Sequence, residues 1–312
     1  MDESIDAIIL AGDRAASNNF SGQNKLLLEV DGIPLLLHVL SALDDVQRVA
    51  RIFIVGPAKE IQGLLLNEKL LLDCHTPVHV LEQRNTAYEN FWSALVHSMP
   101  GYKPGMEDED AAVANKVVLV LPSDIPLVSA AEIDEFLDGC NQERFDYCIG
   151  ATAEPNMRRF LPTEDKPGIE MSYLNLDCSS LRLNNLHLIR PFKVAHRGYI
   201  ERAYELRYQK KLFNVALVIW EMFRIPGFGG KAVSTYYYYQ LAMLFKALGW
   251  SRPLAWARSK VTRDKVIHLT GILLGTRADI VETTIGGCVI DVDNAADYET
   301  ITQRFLEFCQ PD

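Results

Sequence analysis

The sequence predicts a three-layer α/β fold: a mostly parallel sheet between helices, broken by a largely helical insertion. Three observations predict it. Through the first half of the chain, short apolar runs alternate with helix-period patterns, the rhythm of strands joined by crossover helices. After about residue 153 the pattern changes to aromatic- and arginine-rich helical stretches. Near the C-terminus one further apolar run and a closing helix return the chain to the first pattern.

Taken in order, the strands fall at 7–10, 52–55, 78–81, 117–121 and 147–151, with helices at 34–43, 89–99 and 130–140. Ser129 supplies an N-cap for the last of these, because its side chain can accept from the first free N–H groups of the helix. Residues 100–115 carry Glu107-Asp-Glu-Asp110 and read as an exposed acidic loop. Two strand-like pieces follow at 171–176 and 181–189, then helical patterns to about 263, a buried strand at 288–292 and a helix over 295–309. The division expected is a core of residues 1–153 and 264–312 and a mostly helical insertion over 154–263.

A chain of 312 residues, 48% apolar, is long enough to bury a sizeable core. The acidic start, Met1-Asp-Glu-Ser-Ile-Asp6, has neither the basic residues nor the apolar run of a secretory leader, so a cytoplasmic location is expected. The longest apolar stretch, 212–223, is interrupted by Asn214 and Glu221 and falls short of the roughly 20 residues of a membrane span. The six cysteines form no CxxC pair and read as reduced thiols. A net charge of −10 argues against general nucleic-acid binding. It is unevenly spread: between Arg182 and Arg263 fifteen Lys and Arg face three acids, so that segment is +12 and the remainder −22.

The first strand runs into Leu10-Ala-Gly-Asp-Arg-Ala-Ala-Ser-Asn-Asn-Phe-Ser-Gly-Gln-Asn-Lys25. A small-residue turn after a buried strand lets backbone N–H groups approach a polyphosphate, and a lysine downstream neutralises it. Leu10, Ala11, Gly12, Arg14, Gly22 and Lys25 are the candidate phosphate contacts. The spacing is neither GxxxxGK[ST] nor GxGxxG, and a plain surface turn is the alternative. The continuation, Leu26-Leu-Leu-Glu-Val-Asp-Gly-Ile-Pro-Leu-Leu-Leu-His-Val-Leu40, together with this loop resembles the MobA-like nucleotidyltransferase family, whose opening has the form LAGGxSxRMGxxK followed by G-x-P-L-L-x-H-V-L. The resemblance implies a GT-A-like Rossmann fold and transfer of a nucleotidyl group from a nucleoside triphosphate to a phosphorylated acceptor, with release of pyrophosphate. It covers about residues 5–153 and 286–305. Asp13 stands at the family's second glycine and Phe20 at its arginine.

After the third strand, Glu82-Gln-Arg-Asn-Thr-Ala opens a helix. Gln83, Asn85 and Thr86 offer paired donors and acceptors for a nucleobase edge, and the segment resembles the family's base-reading EQxGTA. Simple N-capping by Asn85 or Thr86 is the alternative. In Leu119-Val-Leu-Pro-Ser-Asp-Ile-Pro-Leu127 an apolar strand ends in an acid, which places Asp124 at the carboxyl edge of a parallel sheet, where α/β folds bind ligands. The resemblance to GDxPLL implies Mg²⁺ at Asp124. The ending Asp291-Val-Asp-Asn-Ala-Ala-Asp297 resembles DVDTPEDL and implies that Asp293, with Asp291 beside it, completes the metal site.

With Mg²⁺ and Lys25 neutralising charge, Lys25 and Asp124 are the expected catalytic pair. No general base is needed, since a phosphomonoester acceptor is already largely dianionic at neutral pH. Lys166, Tyr173, Arg182, Asn184, Asn185, Arg190 and Lys193 surround the two strand-like pieces, and such cations beside amides suit an anionic phosphorylated acceptor. Some would instead solvate a strand edge. Beyond residue 195, Arg202, Arg207, Lys210, Lys211, Arg252, Arg258 and Lys260 mix with Trp220, Tyr236–Tyr239, Trp250 and Trp256. That mixture suits an anionic membrane surface, a homodimer interface, or contact with the protein's own acidic core. Two rival functions remain: a GT-A glycosyltransferase using Asp291-Val-Asp293, and an inactive nucleotide sensor, for which Asp13 and Phe20 speak.

Overall fold

A computed structural model describes residues 4–12, 25–67, 74–177, 179–198 and 227–310. Among them one eight-stranded sheet is built from β1 (Ile5–Leu10), β4 (Val49–Gly56), β5 (Val78–Glu82), β6 (Val118–Pro122), β7 (Tyr147–Ala153), β8 (Leu174–Asn175), β9 (Ser180–Ile189) and β10 (Ala278–Thr283). The order is β10-β7-β9-β6-β1-β4-β5, with β8 beside β9, and a separate hairpin joins β2 (Glu29–Val30) to β3 (Ile33–Pro34). Strands β5, β4, β1 and β6 run parallel, as do β7 and β10, while β9 is antiparallel to β6 and β7.

Helices cover both faces, which is why β1 is apolar without a break from Ala7 to Leu10. Ala7 and Ile9 face one cluster with Leu36, Leu40, Ile133 and Phe136, from helices α1 (Leu35–Asp44) and α4 (Ala130–Gly139). Ile8 faces the other cluster with Ala94, Leu95 and Leu274, from α3 (Ala87–His97) and α7 (Arg263–Leu274); α2 (Ala58–Asn67) lies between β4 and β5 in the chain. The fold class is therefore the α/β one expected. Ser129 caps α4, accepting from Glu132 N at 3.3 Å.

One expectation gains detail and one changes. Within 154–263, the strand-like piece expected at 181–189 is β9, which pairs with β6 on one side and β7 on the other. The apolar run at 288–292 is not a strand: residues Gly287–Val289 make a 3-10 turn, and the returning strand is β10, ten residues earlier. The run is buried all the same. Beyond Val120↔His187, β6 and β9 part, and residues 287–292 lie in that opening. There Val292 N donates to Asp124 O at 2.9 Å and Asn185 Nδ2 donates to Cys288 O at 3.0 Å, so side chains and single bonds replace a ladder.

His187, midway along β9, shares a 3.0 Å hydrogen bond between its Nδ1 and the Tyr147 hydroxyl, and burial lowers its imidazole to about 4 from an ordinary 6.5. Between these values the unfolded chain holds a proton that the native one does not. Stability is thus complete above about pH 6.5 and falls as the pH drops toward 4, by ~2 kcal/mol after allowing for the partial exposure of the ring. Denaturant midpoints at neutral pH and near pH 5 check this: H187Q is expected to flatten the difference.

Candidate active site

The carboxyl ends of the parallel strands meet where the chain reverses direction about β1, with β4 on one side and β6 on the other. Leu10 ends β1 opposite Pro122, and Ser123 N donates to Leu10 O at 3.2 Å, so the loop carrying Asp124 starts beside the loop carrying Gly12. Ala11 N donates to Val55 O and Gln83 N to Gly56 O, which brings the ends of β4 and β5 to the same edge. Gly12 packs there against α3: a Cβ would stand 2.9 Å from Asn90 Nδ2 and 3.5 Å from Gln83 Oε1. Arg14, Gly22, Asp13 and Phe20 lie outside the described residues.

Thr86 takes the N-cap role, accepting from Glu89 N at 3.1 Å, and Glu89 reaches back to Asn85 N at 2.9 Å. Buried Asn90 accepts from Arg84 N at 2.5 Å and fixes the turn that presents Gln83 and Asn85.

Across the edge, Lys25 Nζ meets Asp124 Oδ2 at 2.5 Å, both side chains about one-fifth exposed. The bond from Val292 N to Asp124 O places Asp291 and Asp293, on either side of Val292, next to Asp124. Burial, then the charges of Asp293 and Asp124, raise the Asp291 carboxyl to about 6. Burial and Asp293 likewise raise Asp297, which also feels Lys25. Four acids and one lysine therefore share a field. Among the described residues, no group of three or more His, Cys, Asp and Glu is arranged to hold a metal. Asp124 and Asp293 are the two carboxylates here that could take part in holding a cation which keeps most of its water.

A cleft of about 600 Å³ opens beside these acids, lined by Asp291, Asp293, Asn294, Glu170, Met171 and Arg182, a size that fits a small-molecule ligand. Arg182 bonds Ser172 O through Nη1 at 3.1 Å. Buried Tyr173 lies two residues from Met171, and among the described residues its hydroxyl has no hydrogen-bond partner.

The other acceptor candidates are placed elsewhere. Asn184 is buried between strands, bonded to Thr283 Oγ1 and Leu186 N, and Asn185 holds Cys288 O. Arg190 sits at the opposite end of the sheet, since antiparallel β9 carries it to the start of β7; it bonds Gln142 O and Phe145 O. Lys193 follows it there. Lys166 pairs with Glu307 at 2.9 Å on the surface. Asn184, Asn185, Arg190 and Lys193 stand close together in the sequence because they lie on β9 or just beyond it, but that strand runs from the cleft end of the sheet to the opposite end.

One residue that the sequence reading did not single out is central. Glu132 is fully buried; its Oε1 accepts from Thr283 Oγ1 at 2.9 Å and Gly286 N at 3.0 Å, and its Oε2 from Cys288 N at 2.9 Å. Burial raises its carboxyl above the ordinary range, while these donors pull the other way. It thereby pins the segment that delivers Asp291 and Asp293. Gly287 is needed beside it, because a Cβ would come within 2.0 Å of Leu127 O. The visible signal was Ser129-x-x-Glu132, a capping-box spacing that predicts only a local role.

With this geometry in hand, the likeness of the chain to known proteins can be placed beside it. A 2-C-methyl-D-erythritol 4-phosphate cytidylyltransferase of Chlorobium luteolum is 27% identical over 116 residues, which are 37% of this chain and 45% of that protein; the match spans less than half of the relative's length. A hypothetical transferase from Thermus thermophilus superposes with a TM-score of 0.60 at 21% identity, over 95% of this chain and 99% of the other, which shows a shared fold. A 4-diphosphocytidyl-2C-methyl-D-erythritol synthase from Anaerococcus prevotii superposes with a TM-score of 0.48 at 12% identity, over 98% of this chain and 100% of the other. The model of the MobA-like NTP transferase domain matches residues 7–217, more than half of the chain, and the protein belongs to that family.

Proposed function

We propose that this protein transfers a nucleotidyl group from a nucleoside triphosphate to a small phosphorylated acceptor and releases pyrophosphate. The observation that carries this reading is the convergence of Lys25, Asp124, Asp291 and Asp293, from three distant parts of the sequence, at the carboxyl edge of the sheet. Family membership supports it, as does the cytidylyltransferase activity of the C. luteolum relative.

Backbone groups of residues 10–12 and the Lys25 ammonium face the polyphosphate, and Gln83 and Asn85 read the base. Lys25 leaves Asp124 for the phosphates and offsets their charge. Arg182, on the cleft wall, orients the acceptor phosphate, whose own dianion attacks, so no residue need remove a proton. The donor set fits Mg²⁺: hard carboxylate oxygens, crowded enough to raise Asp291, from two segments joined by one backbone bond. Asp124 and Asp293 would hold the ion, which supplies charge neutralisation at the phosphates when bound.

The test is pyrophosphate release from each of four nucleoside triphosphates crossed with a panel of sugar, polyol and cofactor phosphates. Turnover with one pairing is expected, and K25A is expected to lower it about a hundredfold or more. Glycosyl transfer from a nucleotide sugar, without pyrophosphate, would replace the reading with a glycosyltransferase. Triphosphate binding without turnover on any acceptor would replace it with a sensor.

A further inference from the structure

Eight of the thirteen exposed large apolar side chains among the described residues fall between Val233 and Trp256, on the helical hairpin of α5 (Gly229–Ala247) and α6 (Ser251–Arg258). At 3.6 residues per turn, Val233, Tyr236, Tyr237 and Leu244 share one face of α5, opposite buried Ala242. The outward face is thus apolar where a solvated helix would be charged. Trp250, at the hairpin turn, and Trp256 are half exposed and extend the patch. Tyr236 is 64% exposed.

The charge of the hairpin has a single sign. From residue 227 to 263 every ionised side chain is Lys or Arg, in a chain that carries 41 acids. Lys246 is taken by Glu154, while Lys231 and Arg252 are exposed. Aromatic rings and leucines beside uncompensated cations suit an interface where apolar depth and negative charge occur together, which is the headgroup region of an anionic bilayer. No described helix is long and apolar enough to cross a membrane. A second copy of this chain fits less well, because a two-fold contact would set one positive hairpin against another.

We propose that this hairpin docks the protein on an anionic membrane surface. It packs against Tyr173 and β8, which follow the cleft residue Met171 in the chain: Lys246 lies over the Tyr173 ring, Tyr239 Oη donates to Tyr173 O, and Asn175 Nδ2 contacts Met243 Sδ. Docking therefore acts on the element pair β8–β9 that carries Arg182.

Co-sedimentation tests this with vesicles of phosphatidylcholine carrying about one-third phosphatidylglycerol, and with phosphatidylcholine alone. The full chain is expected to pellet with the anionic vesicles at low salt, to be released by roughly 0.5 M salt, and to stay in solution with the neutral ones. Replacing Tyr236, Tyr237 and Trp250 together by serine is expected to weaken binding at least about tenfold with the circular dichroism unchanged. R252E, which keeps every apolar contact, is expected to weaken it as well and serves if the triple variant fails to fold. Absence of pelleting at low salt, pelleting that both variants retain, or a concentration-dependent dimer by light scattering that the variants abolish would each overturn the proposal. Vesicle binding is measured without turnover, so it stands or falls apart from the transferase reading.

Discussion

Replacing Asp124 by alanine is expected to lower pyrophosphate release about a thousandfold while leaving the thermal melt within ~1 kcal/mol of wild type. The asymmetry follows from where the side chain sits. Its ion pair to Lys25 is partly exposed, so its loss costs the fold little. What it gives up is a carboxylate whose charge reaches Asp291 and which, with Asp293, would hold the cation. Its backbone carbonyl, which accepts from Val292 N, is untouched by the substitution, so the loop stays in place. D124N separates charge from shape and is expected to lose nearly as much activity. Wild-type turnover in D124A would remove Asp124 from the chemistry.

E132A is expected to show the opposite balance, a loss of about 3 kcal/mol in stability together with loss of activity, although Glu132 touches no substrate. The substitution leaves Gly286 N and Cys288 N buried beside an empty carboxylate site, and Thr283 Oγ1 loses one acceptor. E132Q keeps the shape but turns an N–H donor toward one of these donors, so an intermediate loss is expected. Denaturant midpoints measure the stability. Dependence of turnover on Mg²⁺ concentration measures the positioning: E132Q should need more of the ion at unchanged folded fraction. Wild-type stability in both variants would show that the turn at 287–289 is held by other contacts.

Much of the fold was legible because its signals are local. The apolar runs ending in Leu10, Val55, Leu81 and Leu121 became parallel strands, and the helices expected at 34–43 and 130–140 appear as Leu35–Asp44 and Ala130–Gly139. Burial on both faces leaves a run of apolar residues whatever the neighbours are. The misread strand at 288–292 shows the boundary of that logic. Cys288, Val289, Ile290 and Val292 are buried as a strand's residues would be, but their partners are Glu132, Asn185 and the Asp124 carbonyl, 103 to 168 residues away along the chain, rather than a ladder.

The same division runs through the site. Lys25 and Asp124 were legible because each carries a charge next to an apolar strand or a small-residue turn, and the aspartates at 291 and 293 through the resemblance of 291–297 to the family's ending; each pattern fits in one short window. The sequence by itself therefore determined the α/β class and the charged residues that come together at the carboxyl edge of the sheet. Only the tertiary structure decided that Arg182 lines the cleft while Arg190 lies at the far end of the same strand, that Asn184 is spent on packing, and that Glu132 anchors the loop. Direction and register across a sheet, and the choice between capping a helix and reaching a distant backbone, depend on partners far away in the chain; no window of neighbouring residues contains them.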